Sequence, residues 1–201
     1  GEWDYARGTL YWRPSDGVLE GHITEAGQRD GCLYVENKSY INIENLAFEA
    51  GNNRNNIDAS GGGIEIVSCS HINIENCTIF NNYFHGIGIT ESSDINIINC
   101  ESAYNHGSGV RIAKSSSNCT IYGGRYHHNS PLYSDALGGA DLNGIEAACA
   151  KGECLNINII GVEVDHNGLG VAGNPNGNNA DAGIAFYDAS GNVKRCLIHH
   201  N

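Results

Sequence analysis

Apolar and polar residues alternate along this chain in short bursts, not in helical stripes. The segment Ile41-Asn42-Ile43-Glu44-Asn45-Leu46 returns as Ile72-Asn73-Ile74-Glu75-Asn76-Cys77 and as Ile95-Asn96-Ile97-Ile98-Asn99-Cys100. Looser copies are Cys119-Thr120-Ile121, Ile157-Asn158-Ile159 and Val193-Lys194-Arg195-Cys196. A period of two puts alternate side chains on opposite faces, which is strand periodicity. A second mark is glycine followed by a β-branched residue, at Gly63-Ile64, Gly86-Ile87, Gly109-Val110, Gly144-Ile145 and Gly183-Ile184, in steps of 23, 23, 35 and 39 residues. A unit this short, holding three strands, cannot close its own core. Stacked units can, each strand pairing with its counterpart one turn away at about 4.8 Å. The pattern predicts an all-β chain: a right-handed parallel β-helix of three parallel sheets and about six coils, with Ile, Val, Leu and Cys in the bore.

The register follows. The inward columns are Ile64/Ile87/Val110/Ile145/Ile184 on a Gly-Ile sheet and Ile74/Ile97/Ile121/Ile159/Val193 on an Ile-Asn-Ile sheet. A third sheet begins at Cys77-Thr78-Ile79. The tight turn before the third sheet carries Asn45, Asn76, Asn99, Gly123 and Gly161. Asn and Gly enter the left-handed region at least cost, so their interchange marks a positive φ. A second column, Asn82, Asn105, Asn129, Asn167 and Asn201, reads as an amide ladder from coil to coil. Insertions over 51–62, 130–142 and 168–182, rich in Gly, Asn, Asp and Ser, precede the Gly-Ile sheet and would wall a groove along it. Residues 1–30 form a hairpin extension expected to pack on the first coil, and 31–201 the β-helix. The last coil, at His199-His200-Asn201, is expected to associate end to end or to continue in a longer chain.

Composition narrows the reading. Gly (27) and Asn (26) are abundant, yet 40% of residues are hydrophobic, so a disordered chain and a helical bundle are both excluded. A net charge of −12 disfavours nucleic acid as a partner. No apolar run approaches the ~18 residues of a membrane span, so no membrane partner is expected. Of the eight cysteines, Cys77, Cys100 and Cys196 share an inward column and behave as small core residues. Cys149 and Cys154, bracketing a turn, are the best disulfide pair.

Candidate chemistry sits on outward positions. Along the Gly-Ile sheet these are Tyr34, Glu65, Gly88, Arg111, Glu146 and Ala185. Arg111 and Glu146 fall on adjacent coils, as an ion pair or as two groups facing substrate. Glu65 and Glu146 are three coils apart, about 14 Å at this rise, too far for a glycosidase pair. A hydrolase would therefore need Asp135, Asp141 or Asp181 beside one of them. His85, with His106, enters the same sheet from its loop side as a candidate acid or base. Tyr83, Lys114 and Asp141 complete the expected substrate contacts. A separate column, His127/Asp165/His199 beside His128/His166/His200, reads as stacked turn residues, with a divalent metal as the sharper alternative. No metal ligand is assigned, and calcium remains open.

The repeated Gly-Ile-x-Ile and Ile-x-Ile-x-Asn-Cys blocks resemble right-handed parallel β-helix proteins of the pectate-lyase-like superfamily. The opening from Trp3-Asp4-Tyr5 to Leu10-Tyr11-Trp12-Arg13-Pro14-Ser15-Asp16-Gly17 is similar to segments that precede the helix in many such carbohydrate-active proteins. The resemblance implies a secreted or cell-surface enzyme acting on an extracellular polysaccharide by hydrolysis, β-elimination or epimerisation. If it is a lyase, Arg111 would neutralise a sugar carboxylate while His85, His106 or Lys114 takes the proton. If it is a hydrolase, Glu146 or Glu65 joins a loop acid. The alternative is a non-catalytic β-helix: a stalk, adhesin or fibre subunit.

Overall fold

The computed structural model describes residues 2–6, 9–13, 31–51, 62–129, 143–149, 153–168 and 182–201. Strands β1 (Glu2–Ala6) and β2 (Thr9–Arg13) pair antiparallel, Trp3 opposite Trp12. Every later strand belongs to a coil of three. The first coil holds β3 (Leu33–Glu36), β4 (Ser39–Glu44) and β5 (Ala47–Glu49). The second holds β6 (Ile64–Val67), β7 (Ser70–Glu75) and β8 (Thr78–Phe80), and the third β9 (Ile87–Thr90), β10 (Ser93–Ile98) and β11 (Glu101–Ala103). The fourth holds β12 (Val110–Ala113), β13 (Ser117–Tyr122) and β14 (Arg125–His127), and the fifth β15 (Ile145–Ala148), β16 (Cys154–Ile160) and β17 (Glu163–Asp165). The sixth holds β18 (Ile184–Tyr187), β19 (Ala189–Lys194) and β20 (Leu197–His199). Three six-stranded parallel sheets result, each joining every third strand in coil order. This is a parallel β-helix of six coils.

The register agrees with the sequence periodicity. Ile43, Ile74, Ile97, Ile121, Ile159 and Val193 stand one above another, and the four central ones are at most 1% exposed. Ile64, Ile87, Val110, Ile145 and Ile184 do the same on the Gly-Ile sheet. The third sheet stacks Phe48, Ile79, Ser102, Tyr126, Val164 and Ile198. Tyr126, a large ring in mid-column, is fully buried beside the small Ser102, so volumes compensate between neighbouring coils.

The turn into the third sheet is left-handed at Asn45, Asn76, Asn99, Gly123 and Gly161, with φ from 49° to 66°. Arg195 holds the same position in the last coil (φ 56°), where neither Asn nor Gly is present. Asn82, Asn105, Asn129, Asn167 and Asn201 form the expected ladder. Each amide Oδ1 from Asn105 onward accepts both the backbone N–H and the Nδ2–H of the asparagine one coil earlier, at 2.8–3.2 Å. Cys149 and Cys154 form the disulfide, their Cα atoms 5.5 Å apart. Cys77 and Cys100 are buried thiols whose hydrogens reach backbone carbonyls.

Candidate functional site on the Gly-Ile sheet

The outward column of the Gly-Ile sheet runs Tyr34, Glu65, Gly88, Arg111, Glu146 and Ala185, as the spacing predicts. It is not an open face. Tyr34 is 55% exposed, whereas Glu65 and Glu146 are 4% and 3% exposed. Charged groups so deeply placed need partners. Arg111 and Glu146 provide one pair, Nε to Oε1 at 3.6 Å. Glu146 Oε2 accepts the Ser108 hydroxyl at 2.9 Å, and Glu65 Oε1 accepts the Gly62 N–H at 3.2 Å.

A second column positions this cluster. The residue preceding each Gly-Ile glycine is Gly62, His85, Ser108, Asn143 or Ala182, and its backbone carbonyl accepts from the coil before. The side chains of the three middle members reach the other way. Ser108 N–H donates to His85 Nδ1 (2.9 Å), Asn143 N–H to Ser108 Oγ (3.2 Å) and Ala182 N–H to Asn143 Oδ1 (2.9 Å). Three different side chains thus do one job as acceptors. Ser108 and Asn143 escaped sequence reasoning, although their place directly before Gly109 and Gly144 mirrors that of His85 before Gly86.

This arrangement decides the state of His85. Its Nδ1 must keep a lone pair for the Ser108 N–H, so the neutral ring carries its proton on Nε2. Burial, and then the Arg111 cation beside it, push the His85 pKa well below the usual imidazole range. Nε2 lies 3.4 Å from Arg111 Nη1, and both atoms donate, so neither satisfies the other. Among the described residues, Arg111 Nε and Asn143 Nδ2 are likewise buried donors without a hydrogen-bond acceptor. Among the described residues, the cluster therefore presents N–H groups on Arg111, Asn143 and His85 with no oxygen at hydrogen-bond distance to receive them.

The other expected residues lie around this centre. Tyr83 and His106 stack on successive coils, ring centres 5.5 Å apart, and burial lowers the His106 pKa. Lys114 is exposed at the corner after β12 (φ 47°). Gly88 separates Glu65 from Arg111. Asp135, Asp141 and Asp181, and the loop stretches 52–61, 130–142 and 169–181 expected to wall the groove, fall outside the described residues. A calcium site would need six to eight oxygens; among the described residues this face gathers no such set.

The histidine column of the third sheet forms a stack. Tyr104, His128, His166 and His200 lie ring over ring at 4.9–5.0 Å, tilted by 4–24°. Asp165 in the neighbouring column takes Arg125 on both oxygens, at 2.8 and 2.9 Å, and His166 Nδ1 at 2.7 Å. These partners hold its carboxyl below the usual carboxylate range despite its burial. His128, Asp165 and His166 do bring three ligand atoms within 4.8 Å of one another. Parallel rings, however, face each other with their π surfaces, whereas a metal needs converging in-plane lone pairs. Arg125 already neutralises the carboxylate. The stacked-turn reading fits this geometry.

The protein is thus a parallel β-helix with one polar, incompletely satisfied cluster on its Gly-Ile sheet. It belongs to the right-handed beta helix region family, whose model matches residues 5–201. No curated protein and no solved structure matches the chain.

Proposed function

We propose that this β-helix is a carbohydrate-active enzyme of the pectate-lyase-like kind, cleaving or modifying an extracellular polysaccharide on its Gly-Ile face by hydrolysis or elimination. The observation that carries the reading is a set of buried donors that lack acceptors among the described residues: Arg111 Nε and Asn143 Nδ2, joined by the Nε2–H that the tautomer assigns to His85. Buried polar groups are normally satisfied, so each exception calls for an explanation; of the three found among the described residues, Tyr126 Oη lies apart in the bore and the other two meet on this face. Sugar hydroxyl, ring and carboxylate oxygens supply the missing acceptors. Arg111 offers a fork that binds a carboxylate or an oxyanion, and Glu146 accepts a sugar hydroxyl or serves as base.

His85 has a narrower role than its residue type suggests. With its proton already on Nε2 it cannot take another from substrate there, so it acts as a hydrogen-bond donor. In an elimination the proton would pass to His106, neutral at pH 7, or to Lys114. A stalk or fibre subunit is the competing reading, favoured by the regular amide ladder. It leaves the unpaired donors unused.

The test is a polysaccharide panel assayed for new reducing ends and for unsaturated uronate absorbance. Product that disappears in Arg111→Ala and Glu146→Gln, with both variants still folded by circular dichroism at the assay temperature, supports the reading. No product from any neutral or acidic polysaccharide favours the stalk.

A further inference from the structure

The outward face of the Ile-Asn-Ile sheet carries a feature that the reading above does not use. Its strands bend at the second residue, or the third in β16, where φ is positive: Tyr40 (61°), His71 (56°), Asp94 (56°), Asn118 (52°) and Asn156 (59°). Over the first three coils the bend leaves a cleft of about 400 Å³ lined by Tyr40, Asn42, His71, Asn73, Asp94 and Asn96. Along it runs a row of amides. Asn73 Nδ2 donates to Asn42 Oδ1 at 3.0 Å and Asn96 Nδ2 to Asn73 Oδ1 at 2.9 Å. Each amide has two N–H groups and two lone pairs. The row therefore keeps a free N–H on Asn73 and Asn96, both N–H groups of Asn42 and the Oδ1 of Asn96, all facing the cleft side of the sheet.

Tyr40 is the independent observation. It is 79% exposed and is held face to face with His71, ring centres 4.6 Å apart and tilted 27°. Its φ is one that bulky residues avoid, while His, Asp and Asn, which fill the rest of the column, tolerate it better. A large ring thus occupies an unfavourable backbone position without burying its surface. Strain of this kind points toward a use.

We propose that this cleft binds a neutral glycan chain lying along the helix axis, with sugar rings on Tyr40 and hydroxyls on the amide row. A sugar hydroxyl both donates and accepts, matching an open amide edge. The apolar C–H face of a pyranose ring buries against an exposed aromatic ring. The amides repeat once per coil at about 4.8 Å, close to the length of one pyranose unit. Asp94 and the net charge of −12, with no Lys or Arg in the lining, disfavour an acidic polymer. A peptide adding as a strand is disfavoured too, because β7 and β10 are paired on both edges and the cleft lies on the face of the sheet, not along the outer edge of β4. The proposal does not depend on catalysis at the Gly-Ile face.

Titration with cellohexaose, xylohexaose, mannohexaose and hexagalacturonate, followed by NMR of side-chain amides and by calorimetry, tests it. At least one neutral hexasaccharide should shift the Asn42, Asn73 and Asn96 amides, and hexagalacturonate should not. Tyr40→Gly should weaken binding at least tenfold while the melting temperature holds or rises, since glycine adopts this φ freely. Binding here should persist in Arg111→Ala, so the cleft and the catalytic reading can fail separately. Silence of these amides with all three neutral sugars, preference for hexagalacturonate, or undiminished binding by Tyr40→Gly overturns the proposal.

Discussion

Two of the places where this molecule buries polar side chains do so on opposite terms. In the ladder Asn82–Asn105–Asn129–Asn167 every amide is enclosed and matched. Asn105 Nδ2, for example, meets Ile79 O, Ser102 Oγ and Asn129 Oδ1, while its Oδ1 takes two N–H groups of Asn82. At the Gly-Ile face, His85 and Asn143 are as enclosed and Arg111 is partly so, but they keep donors that nothing among the described residues receives. Repetition explains the difference. A ladder built from one residue type presents the same donor and acceptor at each coil, so the stack satisfies itself. The column His85, Ser108, Asn143 shares one repeated contact, acceptance of the backbone N–H of the next coil, and the rest of each side chain is free to differ.

The sharpest way to break the comparison is to remove one rung. Asn105→Ala strands the Asn82 donors and the Ile79 carbonyl in the interior. Each such group costs about 1–3 kcal/mol, so a loss on the order of 4 kcal/mol is expected in urea or guanidinium unfolding. A loss below about 1 kcal/mol would mean that water or repacking replaces the ladder.

Arg111→Ala is the counterpart on the other face. Among the described residues its Nε makes no hydrogen bond, but its charge faces the Glu146 carboxylate, which is 3% exposed, so stability should fall by about 1–3 kcal/mol, less than in Asn105→Ala. Turnover on a confirmed polysaccharide should fall by about 100-fold or more, the usual scale for removing a preorganised donor. Unfolding with unchanged turnover would reduce Arg111 to a bridge for Glu146.

How much of this was legible in the sequence follows the same division. The bore, the turn with positive φ, the amide ladder and the adjacency of Arg111 to Glu146 all follow from counting residues, because one coil repeats another. The proton on His85 does not. It depends on the Ser108 N–H arriving from the next coil, a fact of stacking that no single copy of the repeat displays. The Tyr40 cleft was hidden differently. Apolar–polar alternation alone reads 39–44 as a straight strand, and the bend shows only when Tyr40, His71, Asp94, Asn118 and Asn156 are compared as a column of conformations. Ser102 beside Tyr126 is likewise a compensation between neighbours, invisible to a pattern that counts Ser as an outward residue.

Acid separates the two regions further. The folded state lowers the pKa values of His85, His106 and His128, in each case chiefly through burial. Unfolded histidine takes its proton near 6.5, so the unfolded chain binds more protons below that pH. Stability should be complete above about pH 6.5 and decline as the pH falls. His85, buried beside the Arg111 cation, contributes a slope of about 1.4 kcal/mol per pH unit; more exposed His128 adds less. His85→Asn should flatten its share of the slope, because an amide oxygen can accept the Ser108 N–H as Asn143 Oδ1 accepts that of Ala182. Equal stability at pH 7 and pH 5 would contradict the neutral, Nε2-protonated ring.

The smallest effect is the most discriminating, because it repeats the first substitution on the outside. Asn73→Ala removes the same side chain as Asn105→Ala, and again two amide–amide hydrogen bonds along the axis, to Asn42 and from Asn96. The backbone pairing of β7 with β4 and β10 is untouched. What changes is the solvent. Asn42 and Asn96 lie at the surface, so water takes up their freed groups, and no desolvated donor is left behind. The loss should stay within about 0.5 kcal/mol, the scale of ordinary surface substitutions. Denaturant midpoints of the two variants measured side by side give the ratio directly. If Asn73→Ala costs as much as Asn105→Ala, the outer row is a structural ladder like the inner one, and the cleft beside Tyr40 loses its claim to be held open for a ligand.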